Sequence, residues 1–395
     1  MRVLFFSSMT VSPGSGGGNT VFNLLEPGPE GSEVLYATPS DYPPHWAPFP
    51  ELASRVCSFT VPSPVQIPGN RLALVRLANQ CGGKMQAAWR ERSVVRQVTE
   101  FIRRAGVEVL LLCPQSMLDL TAGLALMRKA RLPAVAWFMD DYYSAGTSRL
   151  LAGELWALAR RRFVISEAMQ EGFSRLYGGE CEVLNNAVAV PCSPPPRPDT
   201  LPLRMAYAGA AHGYYLDTLA MALCELAGLD GQIELDLYTH DELPPGLAGN
   251  GRLPYHRRPV LSSAELIRQL WEYDVLLLLS SFRPEHRPIA ETSLASKIAE
   301  YLASGRCILV FGPPYAENVR YAQRHGFADV ATTRRELRPA LLRLLHDPAR
   351  RRALGERACE WARAKHDRGP NAGRLWRALF EAHAAVAACK HAVAA

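Results

Sequence analysis

Between Ser280 and Gly312 the chain gathers its most chemically pointed residues: Arg283, His286 and Arg287 in a proline-containing loop, then Ser293, Ser296, Lys297 and Glu300, closed by Gly305. An apolar strand ends at Ser280, and the spacing predicts a helix from about Ser293 to Ser304 with Gly305 as its stop. On such a helix Lys297 and Glu300, three residues apart, share one face. A helix N-terminus supplies N–H donors and a positive dipole end, and beside fixed cations it suits a diphosphate. A carboxylate one turn further in accepts the two hydroxyls of a ribose. Ser293, Ser296, Lys297, Glu300 and Arg287 are therefore candidate nucleotide-binding residues, with Lys297 and Arg283 as candidate catalytic cations. The competing account is a solvated helix carrying an incidental Lys–Glu pair.

Other segments carry weaker chemistry. Ser12-Pro-Gly-Ser-Gly-Gly-Gly18-Asn-Thr20 follows the first strand and precedes a helix at 19–25, so Gly16 and Gly17 let backbone amides approach a ligand closely. It is neither a GxGxxG nor a Walker loop, and a plain strand-to-helix turn is its alternative. Asp140 and Asp141, with Tyr142 and Tyr143 behind them, end the apolar run Val135–Met139 at the carboxyl edge of a sheet. A carboxylate there can orient or accept a hydrogen bond from an acceptor hydroxyl, or else cap the next helix. Tyr207-Ala-Gly209-Ala-Ala-His212-Gly213 offers a turn at Gly209 for phosphate oxygens, with His212 as an assisting donor. Ser166, after Phe163-Val-Ile, reads foremost as the N-cap of a helix at 167–176.

These residues need strand ends to hold them. Short β-rich apolar runs alternate with helical patterns along the whole chain, the pattern of βαβ units and parallel sheets covered on both faces. Strands are predicted at 2–7, 33–37, 55–61, 107–113, 133–138, 162–166 and 181–185, then at 203–208, 233–239, 274–280, 306–311 and 328–331. Helices are predicted at 216–227, 262–272, 293–304 and 315–325. The proline-rich stretch 189–202 can continue neither a sheet nor a helix and is the expected linker between domains 1–188 and 203–370. From Arg334 the chain is helical, and after a break at Asp367–Pro370 an Ala-rich helix at about 371–392 remains.

A length of 395 residues exceeds a single ordinary core and favours two domains. Apolar residues make up 48% and charged residues 21%, enough to bury both cores without disulfides or metals. Nine scattered cysteines with no CxxC pair fit a reducing, cytoplasmic setting. The first residues read as a strand and not a signal peptide, and no stretch nears the ~18–20 apolar residues of a bilayer span. Residues 71–104 hold eight basic residues against Glu91 and Glu100, interleaved with Leu72, Leu74, Leu77 and Trp89. That stretch reads as a surface for peripheral contact with an anionic inner membrane. No motif supports nucleic-acid binding.

Taken in order, the Gly-rich loop, Phe163-Val-Ile-Ser166-Glu, Val183-Leu-Asn185-Asn186-Ala-Val, Tyr207-Ala-Gly209, Tyr273-Asp274-Val-Leu and Ser296-Lys297-Ile-Ala-Glu300-Tyr-Leu-Ala-Ser-Gly305-Arg resemble the family 4 glycosyltransferases, across about residues 1–365. The resemblance implies the GT-B fold: two Rossmann-like α/β domains whose parallel sheets face each other across a cleft. The N-terminal domain would take the acceptor and the C-terminal domain the nucleotide sugar, with the last helix packing back on the N-terminal domain. It further implies that Glu300 binds the nucleotide ribose, that Lys297 faces the diphosphate, and that transfer retains anomeric configuration without a bound metal. The donor is then a nucleoside diphosphate sugar as substrate, with no cofactor, and the acceptor a glycan, a lipid-linked molecule or a small molecule with a hydroxyl. The chain departs from the family pattern in three places. Thr292, with Glu291 beside it, stands eight before Glu300 where many members have a second glutamate. His212 stands where many carry an Arg and a Lys, and Asp140-Asp141 stands where a His is often found. Two other functions share the fold: a nucleotide-sugar epimerase and a catalytically inactive domain that serves as a binding partner.

Overall fold

The structure is a computed structural model and describes residues 1–42, 44–61, 73–141, 146–191, 194–229, 231–244 and 255–394, with backbone only at 45, 73–85, 146–147 and 386–394. The first half forms a seven-stranded parallel sheet from β1 (Arg2–Phe6), β2 (Glu33–Pro39), β3 (Val56–Phe59), β4 (Val109–Leu112), β5 (Ala134–Phe138), β6 (Arg161–Val164) and β7 (Glu182–Val183), in spatial order β3-β2-β1-β4-β5-β6-β7. The second half forms a six-stranded parallel sheet from β8 (Leu203–Ala208), β9 (Ile233–Tyr238), β10 (Tyr255–Arg258), β11 (Val275–Leu279), β12 (Cys307–Phe311) and β13 (Ala328–Ala331), in order β10-β9-β8-β11-β12-β13. Both are doubly wound. The order reverses between β1 and β4 in one sheet and between β8 and β11 in the other, and ligands of such sheets bind beyond the carboxyl ends at those points.

The central strands β4, β5, β11 and β12 are buried along their whole length, as parallel strands covered on both faces must be. β10, absent from the sequence reading, is an edge strand reading Tyr-His-Arg-Arg, half-buried at its first residue and exposed at the rest. Its polarity hid it, and it protects the sheet edge from further pairing.

The helix expected over 293–304 is instead two short ones, Arg287–Thr292 and Ile298–Ser304. Pro288 sits in the first turn of the earlier helix, where a missing N–H costs nothing. Ser293 then turns extended, with φ −88° and ψ 134°. The intervening peptide is held by side chains from elsewhere and not by helical bonds. Gly305 ends the second helix in the left-handed conformation at φ 64°.

At the C-terminus, the helix Arg368–Ala394 packs on the helix Gly16–Leu25 and on β4, β5 and β6 of the first sheet. Arg161–Glu381 and Arg374–Glu182 ion pairs line that contact, and Trp376 lies so close to Gly28 that a Cβ there would be 2.6 Å from its ring. The chain crosses between the sheets twice, and the two crossings pair: the Val188 amide donates to the His366 carbonyl at 3.0 Å and the Arg368 amide to the Val188 carbonyl at 2.8 Å. None of the described helices is long and apolar enough to cross a membrane. In the basic stretch, residue 71 and its neighbour lie outside the described residues, as do the side chains of Leu74, Leu77 and Lys84, while Trp89 is 58% exposed.

Candidate functional site

Two adjoining cavities lie where the carboxyl ends of the sheets face each other. The first is walled mainly by the second sheet: Tyr207–Ala210 and His212 at and beyond the end of β8, Tyr238–Asp241 at and beyond the end of β9, Val260 and Leu261 before the helix Ser263–Leu270, and Ser296 and Lys297. Gly14, Ser15 and Gly16 close it from the other side. The turn after β8 depends on Gly209, whose φ of 157° lies at the edge of the region that side chains avoid. Asp241 holds this turn in place. It accepts from the Ala211 amide at 2.6 Å and pairs with His212 Nδ1 at 2.8 Å. Burial alone would push the Asp241 carboxyl up, but these partners and Thr239 bring it below the ordinary value. His212 itself is 69% exposed, so its ring is held yet accessible.

Lys297 and Glu300 do come together: Nζ lies 3.7 Å from Oε1, and both side chains are buried, at 14% and 4% exposure. The Ser263 hydroxyl donates to the same Oε1. Glu300 Oε2 has no hydrogen-bond partner among the described residues. A buried carboxylate oxygen with lone pairs unused is costly unless something else fills them. Glu300 itself lines neither cavity; its neighbours Ser296, Lys297 and Tyr301 line the first.

The second cavity is a chamber between the sheets, lined by Ser8, Met9 and Thr10 after β1, Gln115 after β4, Met139 and Asp140 after β5, Asn186, and from the other half Tyr214, His286, Ser293, Ala295, Ser296 and Asn318. Burial raises the pKa of Asp140, the nearby Ser293 hydroxyl offsets part of that rise, and the Asp141 charge adds to it. The next described helix begins at Gly146. Asp141 is buried and lines neither cavity; Tyr142 and Tyr143 lie outside the described residues. His286 Nδ1 bonds the Ser281 hydroxyl at 2.8 Å, with its ring 5.3 Å from that of Tyr214. Tyr214, half-buried in the chamber wall, has its phenol pushed up to about 12, chiefly by burial.

Asp119 is buried between the lips of the first sheet's switch point. It accepts from the Ser8 amide at 2.8 Å, the Ser8 hydroxyl at 2.6 Å and the Gln115 amide at 2.7 Å. Two chamber walls are thereby fixed to one side chain.

Gly16 lines the first cavity and Gly17 the chamber, so the Gly-rich loop faces both. Arg283 and Arg287, two of the expected site residues, line neither cavity. Arg283 makes a two-pronged pair with Asp217, and Arg287 bonds Glu291 at 2.8 Å while lying over the Tyr315 ring. An acid within reach of each loop satisfied the guanidinium before any ligand did. Ser166 is the expected N-cap, accepting from the Met169 amide at 3.0 Å, and its hydroxyl also donates to the Thr292 carbonyl across the cleft. Sequence reasoning missed Ser8, Gln115, Asp241, Ser263 and Asn318. Ser8, Gln115 and Asp241 stand one to three residues past strand ends, a signal that was available; Asn318 and Ser263 carry none.

No family model matches the chain, and no curated protein matches it. Solved structures do. Anabaena HepE in complex with UDP-glucose is 14% identical, with a TM-score of 0.68 over 96% of this chain and 100% of its own; HepE is also known in complex with UDP and glucose. The sucrose-phosphate synthase of Thermosynechococcus elongatus is 14% identical, with a TM-score of 0.65 over 97% of this chain and 100% of its own. The lipopolysaccharide outer core galactosyltransferase WaaB is 13% identical, with a TM-score of 0.60 over 96% and 99%. Two doubly wound parallel sheets with facing carboxyl edges, matched along their whole length to these enzymes, give the chain the GT-B fold.

Proposed function

We propose that the chain transfers a sugar from a nucleoside diphosphate sugar to a hydroxyl acceptor, with the nucleotide in the cavity beyond β8 and β9 and the acceptor in the chamber facing the first sheet. The observation that carries this reading is the Glu300 carboxylate, buried, charge-paired with Lys297, and holding one oxygen in reserve. The ligands of HepE support it.

In this reading Glu300 Oε2 accepts from the ribose hydroxyls. Lys297, the Ser296 hydroxyl, the amides of the Gly209–His212 turn and the His212 ring surround the diphosphate. As the bond from the anomeric carbon to the diphosphate oxygen breaks, its electron pair stays on that oxygen, and Lys297 and His212 face the growing charge. The acceptor oxygen forms the new bond to the anomeric carbon. Asp140 lines the chamber where that hydroxyl would sit and can orient it or receive its proton. Retention of configuration and independence from metal follow the family resemblance.

Calorimetric titration with UDP, GDP, ADP and dTDP tests the reading first. Binding of one of them, lost in Lys297→Ala with the circular dichroism unchanged, is the expected result; no binding of any by the wild type would sink it. Turnover of a nucleotide sugar that leaves an epimeric donor and no transferred product would assign the site to an epimerase instead.

A further inference from the structure

The segment 293–297 is not helical, and its conformation is set by one peptide grasped from two sides. The Ala295 amide donates to Asn318 Oδ1 at 2.9 Å, while Asn186 Nδ2 donates to the Ala295 carbonyl at 3.2 Å. Both asparagines are almost fully buried, at 4% and 3% exposure. Asn318 belongs to the helix Glu317–His325, and its remaining Nδ2 donates to the Ser280 hydroxyl at the end of β11, at 2.9 Å. Asn186 comes from the other half of the molecule, just past β7, and its own carbonyl accepts from His366 Nδ1 at 2.7 Å. The same Ala295 carbonyl also accepts from the Ile298 amide at 3.1 Å, which starts the helix carrying Glu300. Ala295 and Ser296 border both cavities.

We infer that Asn186 and Asn318 are positioning residues that clamp the Ala295 peptide, and through it set Ser296 and Lys297 relative to the acceptor chamber. The inference rests on the transferase reading for its kinetic part only. Asn318 fixes the loop to the sheet that holds the nucleotide cavity. Asn186 fixes it to the paired crossings at Val188 and His366, and so to the first sheet. An asparagine suits each place because one must accept from an amide and the other must donate to a carbonyl, with both side chains almost fully buried.

The two halves of the clamp separate experimentally. Hydrogen exchange of the full chain, followed on peptides covering 290–302, should speed up in Asn186→Ala and Asn318→Ala while the β11 and β12 peptides stay protected. Unchanged exchange at 290–302 in both variants would overturn the clamp whatever the protein catalyses. With the nucleotide sugar that the wild type turns over, Asn186→Ala should lower kcat by about ten- to hundredfold, since a small misplacement of catalytic groups costs that much, and leave the Kd for the free nucleoside diphosphate within about threefold. Asn318→Ala should lower kcat and weaken nucleotide binding together, and Asn318→Asp, which still accepts from the Ala295 amide, should restore most of that loss. Asn186→Asp keeps the size and removes the donor, and should behave as Asn186→Ala does. A wild type that binds no nucleoside diphosphate overturns the transferase reading and the kinetic part with it, whereas an active wild type beside a fully active Asn186→Ala overturns the clamp alone.

Discussion

Gly16 and Ser296 meet across the cleft so closely that a Cβ at residue 16 would stand 2.2 Å from Ser296 Oγ and 3.0 Å from its Cβ. One opens the helix that follows β1 and the other belongs to the loop before Glu300, so the contact is between the two halves of the site.

Gly16→Ala should therefore act on the cleft and not on the core. Ser296 must rotate or the two loops must part, and transfer should fall about ten- to hundredfold with little change in Tm. Gly18→Ala provides the contrast. There the new Cβ would meet the Thr10 carbonyl at 2.4 Å and the Ser12 amide at 2.8 Å, backbone that cannot step aside. That variant should lose about 1–3 kcal/mol of stability by overpacking. Equal Tm losses for the two substitutions would refute the distinction; chemical denaturation and a transfer assay on the same preparations decide it.

The cations should rank in a fixed order when nucleoside diphosphate affinity is measured by calorimetry. Lys297→Ala removes a buried charge beside Glu300 and should cost about 2 kcal/mol or more, some thirtyfold in Kd. His212→Ala, an exposed donor on the same cavity, should cost less, up to about tenfold. Arg283→Ala should change affinity by no more than about twofold, because its guanidinium serves Asp217 at the surface. Loss of binding in Arg283→Ala would restore the sequence-based assignment of that residue.

The two sheets were legible because buried parallel strands leave uninterrupted apolar runs such as Val275–Leu279, and 203–208, 216–227 and 328–331 match to the residue. β10 was not, since an exposed edge strand has no apolar face to announce it. Lys297 and Glu300 were found by their spacing, even though the helix between them starts later than expected. Local spacing does not reveal who competes for a side chain: nothing near Arg283 in sequence points to Asp217, 66 residues away. The same reason kept Asn318 hidden, because its importance lies in the peptide it meets in space.

His366 should make the crossing sensitive to acid. Burial holds its imidazole down at about 4, against an ordinary 6.5, even though its bond to the Asn186 carbonyl works the other way. The unfolded chain then binds a proton between those values that the folded chain refuses, so stability is fully present above the unfolded pKa and declines as pH falls from about 6.5 toward 4, by about 3 kcal/mol over the window. Glu317, whose carboxyl is raised to about 6 by burial, pulls in the opposite direction below that pH. Subtracting the urea-derived stability profile of His366→Gln from that of the wild type removes the Glu317 contribution. A difference profile that stays flat from pH 7 to pH 4.5 would show that His366 titrates normally.

Asp140 should be a residue that the fold would be better off without. Its pKa is raised, chiefly by burial, so ionisation is disfavoured in the folded state, and stability declines as pH rises past the ordinary carboxylate value near 4. At pH 7 ionisation of this carboxyl at the chamber wall therefore works against the folded state. Asn at that position keeps the shape and removes the charge, so Asp140→Asn should raise Tm at pH 7 and lose that advantage when measured near pH 4. If Asp140 also orients the acceptor or takes its proton, the same substitution should cut kcat by about 10²–10⁴ while the nucleoside diphosphate Kd stays unchanged. Gain of stability with loss of turnover is the signature of a group retained for chemistry. A variant that is less stable at pH 7 would show the carboxylate to be a structural partner, and a more stable variant with full activity would leave it without a part in transfer.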